Sequence, residues 1–182
     1  GNWAVLGSYY VQNGSPVHGS NGQLPVLDGE YTQPTDKWSA LVSANNREYV
    51  RIENIEVNSS YGEGIELHWS SNFEVINCVV DLTRKSGIMV NQVNENGGTG
   101  LIQGCDISGF GQGWRDGEDN DWPSGISGYR SPYMTYRENK VHEGWGEGII
   151  VGLMALHGTP SHHCLVERNL LYDCRALGIM VH

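Results

Sequence analysis

The sequence predicts an all-β solenoid in which short parallel strands stack coil upon coil. Three observations carry this. A Gly-Ile pair returns five times, the residues upstream of it keep a fixed spacing, and charges of opposite sign fall on neighbouring repeats. An internal period of this length is the mark of a stacked repeat architecture.

The Gly-Ile units are Gly64-Ile65-Glu66-Leu67, Gly87-Ile88-Met89-Val90, Gly125-Ile126-Ser127-Gly128, Gly148-Ile149-Ile150-Val151 and Gly178-Ile179-Met180-Val181. Upstream, the coils start at Val50, Phe73, Gly100, Met134 and Cys164. Two residues on stand Ile52, Val75, Ile102, Tyr136 and Val166. Five on stand Ile55, Cys78, Cys105, Asn139 and Asn169. Seven on stand Val57, Val80, Ile107, Val141 and Leu171. Alternate strand residues face opposite sides, so the start and second positions point inward together. The step from two to three marks a corner. The glycine follows fourteen residues after the start in four coils and twenty-five after it in the third, which marks an eleven-residue insertion. Each coil buries its apolar row only against its neighbours, so the coils must stack. About five to six of them fit the chain.

The charges test this register independently. It sets Arg51 on Glu74, Asp106 on Lys140, Arg137 on Glu167 and Glu138 on Arg168. Like charges directly opposite destabilise a sheet, so four unlike pairs support the alignment.

The five Gly-Ile-x-x strands, with Asn-bearing strands such as Val50-Arg-Ile-Glu-Asn54 and Val166-Glu-Arg-Asn169, resemble the right-handed parallel β-helix, or pectate-lyase-like, superfamily. The resemblance runs from Trp38 to His182. It implies a single-stranded right-handed solenoid. It leaves the activity open, because that superfamily includes polysaccharide lyases, glycoside hydrolases, uronate epimerases, adhesins and phage tailspikes.

Composition agrees with a turn-rich β protein. The 182 residues contain 25 Gly, 6 Trp, 9 Tyr and 2 Phe, and 38% are hydrophobic. That length suits one domain. A formal charge of −10 opposes binding to nucleic acid, and to polyanionic glycans unless a cation or a local basic cluster intervenes. No apolar run is long enough to span a membrane. Cys78 and Cys105 share one inward slot and read as buried free thiols, while Cys164 and Cys174 share a coil and could close a small loop.

Residues 1–49 read as an irregular N-terminal cap with an incomplete first coil, and 50–182 as the β-helix coils. Leu24 to Tyr31 reads as a strand and turn, and Trp38 to Ser43 as the last strand of that first coil. At the other end an uncapped coil leads to the expectation of a fragment of a longer solenoid, or of self-association through that coil.

Departures from the basic coil are where chemistry is expected. The insertion, Gly109 to Ser124, carries Asp116, Glu118, Asp119 and Asp121 between Trp114 and Trp122. Clustered carboxylates suit Ca²⁺, a hard cation, or form a solvated acidic loop. The tryptophans, with Arg115, suit sugar stacking or pin the loop. Nine residues after the start, Glu143 falls on Asp173, and His142 on Tyr172, with Trp145 and Arg175 beyond. Two carboxylates this close share a proton, share a cation or diverge into solvent. Sharing a proton gives the acid and base of glycoside hydrolysis. His157, His162 and His163 crowd the next loop. The outward slots Glu66, Met89, Ser127, Ile150 and Met180 are oddly apolar, which points to cover by Leu153 to Leu156, a polymer groove or a partner surface.

The expected function is a secreted, extracellular or periplasmic carbohydrate-active protein: a polysaccharide lyase or glycoside hydrolase acting on an acidic polysaccharide, with either Ca²⁺ or no cofactor. The resemblance implies, for a lyase, a base drawn from His142 or Tyr172, and uronate neutralisation by Ca²⁺ or Arg175. The alternative is a non-enzymatic structural or adhesive module of a surface or fibre protein.

Overall fold

In the computed structural model, residues 2–12, 15–18, 22–118, 122–152 and 160–181 are described, with backbone alone for 9–12 and 15–18. Three parallel sheets of six strands each wrap a single core, so the chain makes six coils. The first sheet holds Ala4–Gly7, Glu48–Glu53, Ser71–Ile76, Gly100–Gln103, Met134–Arg137 and Leu165–Glu167. The second holds Val26–Asp28, Glu56–Ser60, Val79–Thr83, Asp106–Ser108, Lys140–Gly144 and Leu170–Cys174. The third holds Ala40–Ser43, Glu63–His68, Ile88–Asn91, Ser124–Tyr129, Glu147–Gly152 and Ile179–Val181.

The repeat read from the sequence is the observed register. Ile65, Ile88, Ile126, Ile149 and Ile179 pair rung to rung in one column. The first four are fully buried. Ile52, Val75, Ile102 and Tyr136 form a second column, and Val57, Val80, Ile107 and Val141 a third. Gly100 lets two large side chains meet within the core. A Cβ there would lie 2.6 Å from Phe73 Cζ and would also strike Met134 Sδ. This is large-small-large packing at close density.

Corners are set by left-handed residues in register. Asn54, Asn77, Gly104, Glu138 and Arg168 turn the chain from the first sheet to the second, at φ from 50° to 66°. Asn46, Trp69, Gln92 and Arg130 do so after the third sheet, at φ from 50° to 55°. Asn tolerates this region best among non-glycine residues. Asn139 and Asn169 serve one corner differently. Asn139 Oδ1 accepts from Cys105 N at 3.0 Å, and its Nδ2 donates to Ile102 O and Asn169 Oδ1, each at 3.0 Å. The amide thus satisfies backbone groups that the turn leaves unpaired.

Residues 1–49 carry the first coil. They supply a strand to every sheet, with Leu6 on Ile52, Leu27 on Val57 and Val42 on Ile65. The irregularity is an antiparallel hairpin, Tyr9–Gln12 with Ser15–His18, inserted after the first strand. All four cysteines are free, Cys78 and Cys105 being buried, so Cys164 and Cys174 close no loop.

Candidate active site

The insertion builds one wall of a cleft. After Asp106–Ser108 the chain buries Phe110 completely and makes one helical turn, Gln112–Arg115. Gly144 faces the Phe110 ring so closely that any Cβ would clash. Gly111 N donates to Lys85 O at 2.8 Å, and Gly113 N to Arg84 O at 3.0 Å. On the other side Trp145 N donates to Phe110 O at 2.9 Å. The insertion is therefore clamped between the corners of the rungs below and above it. It carries Trp122 and Pro123 to the outer face of the third sheet.

That face holds a cleft of about 280 Å³. Glu63, Glu66 and His68 come from one rung, Ser86, Met89 and Asn91 from the next, and Tyr129 from the one after. Trp38 and Trp122, 59% and 55% exposed, flank it with Lys85. Lys85 Nζ lies 3.4 Å from the Trp38 ring centre. Glu63 is 6% exposed, and burial raises its carboxyl from an ordinary 4.5 to about 8, despite Lys85 and a 2.6 Å hydrogen bond from Ser86 N. It is protonated at neutral pH. Glu66, half-buried, accepts from Asn45 Nδ2 at 2.9 Å. Burial, and then the charges of Glu147 and Glu63, push the Tyr129 phenol up to about 12.

The sequence also spells out what lies above Glu63. Its column, two residues before each isoleucine, continues through Ser86 and Ser124 to Glu147. Ser86 Oγ and Ser127 Oγ lie 2.9 Å apart, and Ser124 N donates to Ser86 Oγ at 3.1 Å. Glu147 is 1% exposed and accepts from Trp122 Nε1. The sequence reading missed Glu63, Glu147, Ser86, Ser124, Tyr129, Lys85 and Trp38. The available signal was the tripeptide Glu-Gly-Ile, present at 63–65 and again at 147–149.

The residues singled out from the sequence divide between two places. Trp122 lines the cleft, and the half-buried Trp114 packs on it, ring centres 5.4 Å apart. Arg115 is exposed and its guanidinium pairs with Asp116 at 2.7 Å. Glu118 takes the nearly buried Arg84 at 2.6 Å. Asp119 and Asp121 lie outside the described residues, as do His157 and Leu153 to Leu156. Among the described residues no three His, Cys, Asp or Glu side chains are grouped to hold a metal ion. Of the outward slots, Glu66 and Met89 line the cleft, while Ser127 and Ile150 are fully buried.

The second place is the outer face of the second sheet. His142 pairs with Tyr172 as expected, and the rings stack at 4.8 Å and 11°. His142 is 8% exposed, and its Nε2 lies 2.8 Å from Asp106 Oδ1. Lys140 Nζ reaches the same carboxylate at 3.1 Å. Glu143 and Asp173 occupy one left-handed corner column, φ 54° and 52°, and both are exposed. Arg175 lies 4.3 Å over Trp145. None of these residues lines the cleft on the third sheet.

The family comparison agrees with the architecture. The family model described as "Right handed beta helix region" matches residues 39–182. No curated protein matches significantly. Among solved structures the chain is similar to tailspike protein 2 of Escherichia coli O157:H7 bacteriophage CAB120, at 17% identity and a TM-score of 0.44. That match covers 61% of this chain and 15% of the tailspike.

Proposed function

The chain belongs to the family of the right-handed β-helix region, and on that scaffold we propose that the third-sheet cleft binds a polysaccharide and hydrolyses its glycosidic bonds, outside the cell. One observation carries the reading: two carboxyl groups share a cleft, and burial keeps Glu63 protonated while Glu66 stands at the half-buried wall. Groups whose surroundings push their affinities for protons apart divide the acid and base roles. Glu63 donates the proton to the leaving oxygen, and Glu66 acts on the sugar carbon directly or through water. Trp38 and Trp122 offer apolar faces for sugar rings.

The test is release of reducing ends from a panel of acidic and neutral polysaccharides. Wild type is expected to cleave one of them, and Glu63→Gln to lose roughly 10²–10⁴-fold in turnover while still binding. Retained turnover in Glu63→Gln overturns the assignment. Activity should also fall as pH rises through about 8, where Glu63 loses its proton.

His142, bonded to Asp106 and stacked on Tyr172, favours a second reading, a lyase site for uronates with His142 or Tyr172 as base. Unsaturated uronate products that vanish in His142→Ala support it. Binding without turnover in either assay supports the adhesive module. Calcium is a proposal for the acidic loop, where Asp116 and Glu118 would exchange their arginines for the ion. Chelation then lowers the melting temperature.

A further inference from the structure

Three of the four exposed tryptophans among the described residues, Trp122, Trp38 and Trp69, lie along one path around the solenoid. The first two flank the cleft. Trp69 borders a second cavity of about 180 Å³, at the corner between the third sheet and the first. Asn46, Arg47, Glu48, Ser71, Asn94 and Glu95 line that cavity with it. The two hollows share a wall. His68, which lines the cleft, stacks on Trp69 with ring centres 3.7 Å apart and planes at 14°. His68 Nε2 lies 3.1 Å from the amide of Gln92, which lines the corner cavity. With the amide nitrogen toward His68, its oxygen accepts from Arg130 Nη1 at 3.0 Å, and Arg130 pairs with Glu95 at 3.1 Å.

Trp69 occupies a costly position. Its φ is 52°, in the corner column where Asn46 stands one rung earlier. A bulky side chain there is unusual, and such strain collects at functional sites. Nothing in the core needs this ring, since it is 58% exposed. Arg47 is exposed and bonds the carbonyl of Asn46 at 3.0 Å, and no carboxylate among the described residues pairs with it. A guanidinium fork is the group that best matches a free carboxylate.

We infer that the corner cavity is a further subsite for a carboxylate-bearing sugar of the polymer held in the cleft, stacked on Trp69 and bound through its carboxylate by Arg47. The inference rests on the reading of the cleft as a glycan site. It also sets direction. Both hollows draw on the same rungs, so the polymer crosses the coils around the solenoid instead of running along its axis. Two carboxylates, Glu48 and Glu95, also line the cavity; Arg130 takes Glu95, and among the described residues Arg47 is the lining cation that can meet the sugar carboxylate.

The experiment uses an array of uronate-containing and neutral glycans, from disaccharide to octasaccharide, probed with the full chain. Wild type is expected to bind the longer uronate glycans best. Trp69→Ala should remove that gain, about tenfold, and leave the shortest ligands unaffected, while Trp69→Phe restores most of it. Arg47→Ala should weaken uronate glycans and spare neutral ones. If Trp69→Ala binds long uronate glycans as wild type does, the subsite is wrong and the cleft reading stands. If Trp122→Ala is also silent, or wild type binds nothing on the array, the cleft reading itself fails. Matching melting curves confirm that each variant is folded.

Discussion

On the second sheet Asp106, 42% exposed at its side chain, takes both Lys140 and His142. One corner further round the solenoid, on the third sheet, Glu63 is 6% exposed and holds its proton to about pH 8. Both stand on strands of the same ladder geometry. What separates them is cover. The insertion that leaves the second sheet docks on Arg84 and Lys85 and brings Trp122 over the third. A carboxylate facing water takes cations and stabilises little, whereas one withdrawn from water keeps its proton and gains reactivity. The scaffold thus presents a solvated ladder on one face and a chemically poised cleft on another.

The largest test of this contrast is catalytic. Glu63→Gln is expected to cut turnover by roughly 10²–10⁴-fold, and Asp106→Asn to leave hydrolysis near wild type, both read as reducing ends. Equal losses would erase the distinction between the faces. Next comes the pH dependence of stability. Glu63 binds its proton more tightly folded than unfolded, so the native state holds more protons between pH 4.5 and about 8. Its contribution therefore falls as pH rises through that window and levels off above it. The effect is at most roughly 5 kcal/mol, and chemical denaturation of Glu63→Gln at pH 5 and pH 9 should show a flatter profile. The packing beneath both faces is probed by Gly100→Val. Its side chain strikes Phe73 and Met134, and the expected loss is about 1–3 kcal/mol in urea unfolding. Smallest is the outer ladder of the first sheet. Arg51→Ala breaks the pair with Glu74 and should cost about 0–1 kcal/mol, declining with added salt.

The core was legible because its signal is periodic. A buried column demands an apolar residue on every rung, so the isoleucines and the valines between Val57 and Val141 repeat in sequence as they do in space. The outer pairs Arg51–Glu74, Lys140–Asp106, Arg137–Glu167 and Arg168–Glu138 were equally readable and are all present. The first coil was harder to read because a hairpin separates its strands and its apolar residues are half exposed, Leu6 at 48% and Leu27 at 40%. The cleft escaped for a different reason. Glu63 and Glu147 precede their glycines by one residue, a slot that lies between the upstream positions and the glycine from which the repeat was read. Glu63 shares its cleft with a loop folding back from two rungs later, and no local pattern reports that. His142 was singled out correctly as a neighbour of Tyr172. Its tie to Asp106 was not foreseen, because it runs diagonally between rungs.

The docking of the insertion on its own scaffold has a consequence for chain entropy. Ile65 and Ile88 pair across 23 residues, and Ile88 and Ile126 across 38. Closing the longer loop costs only about 0.4 kcal/mol more, since the penalty grows with the logarithm of length. A solenoid of this kind can lengthen one turn, test a new cleft wall and keep folding. The same arithmetic allows other rungs to acquire walls of their own, which makes the face above the isoleucine column a place where new specificities can arise at little thermodynamic risk.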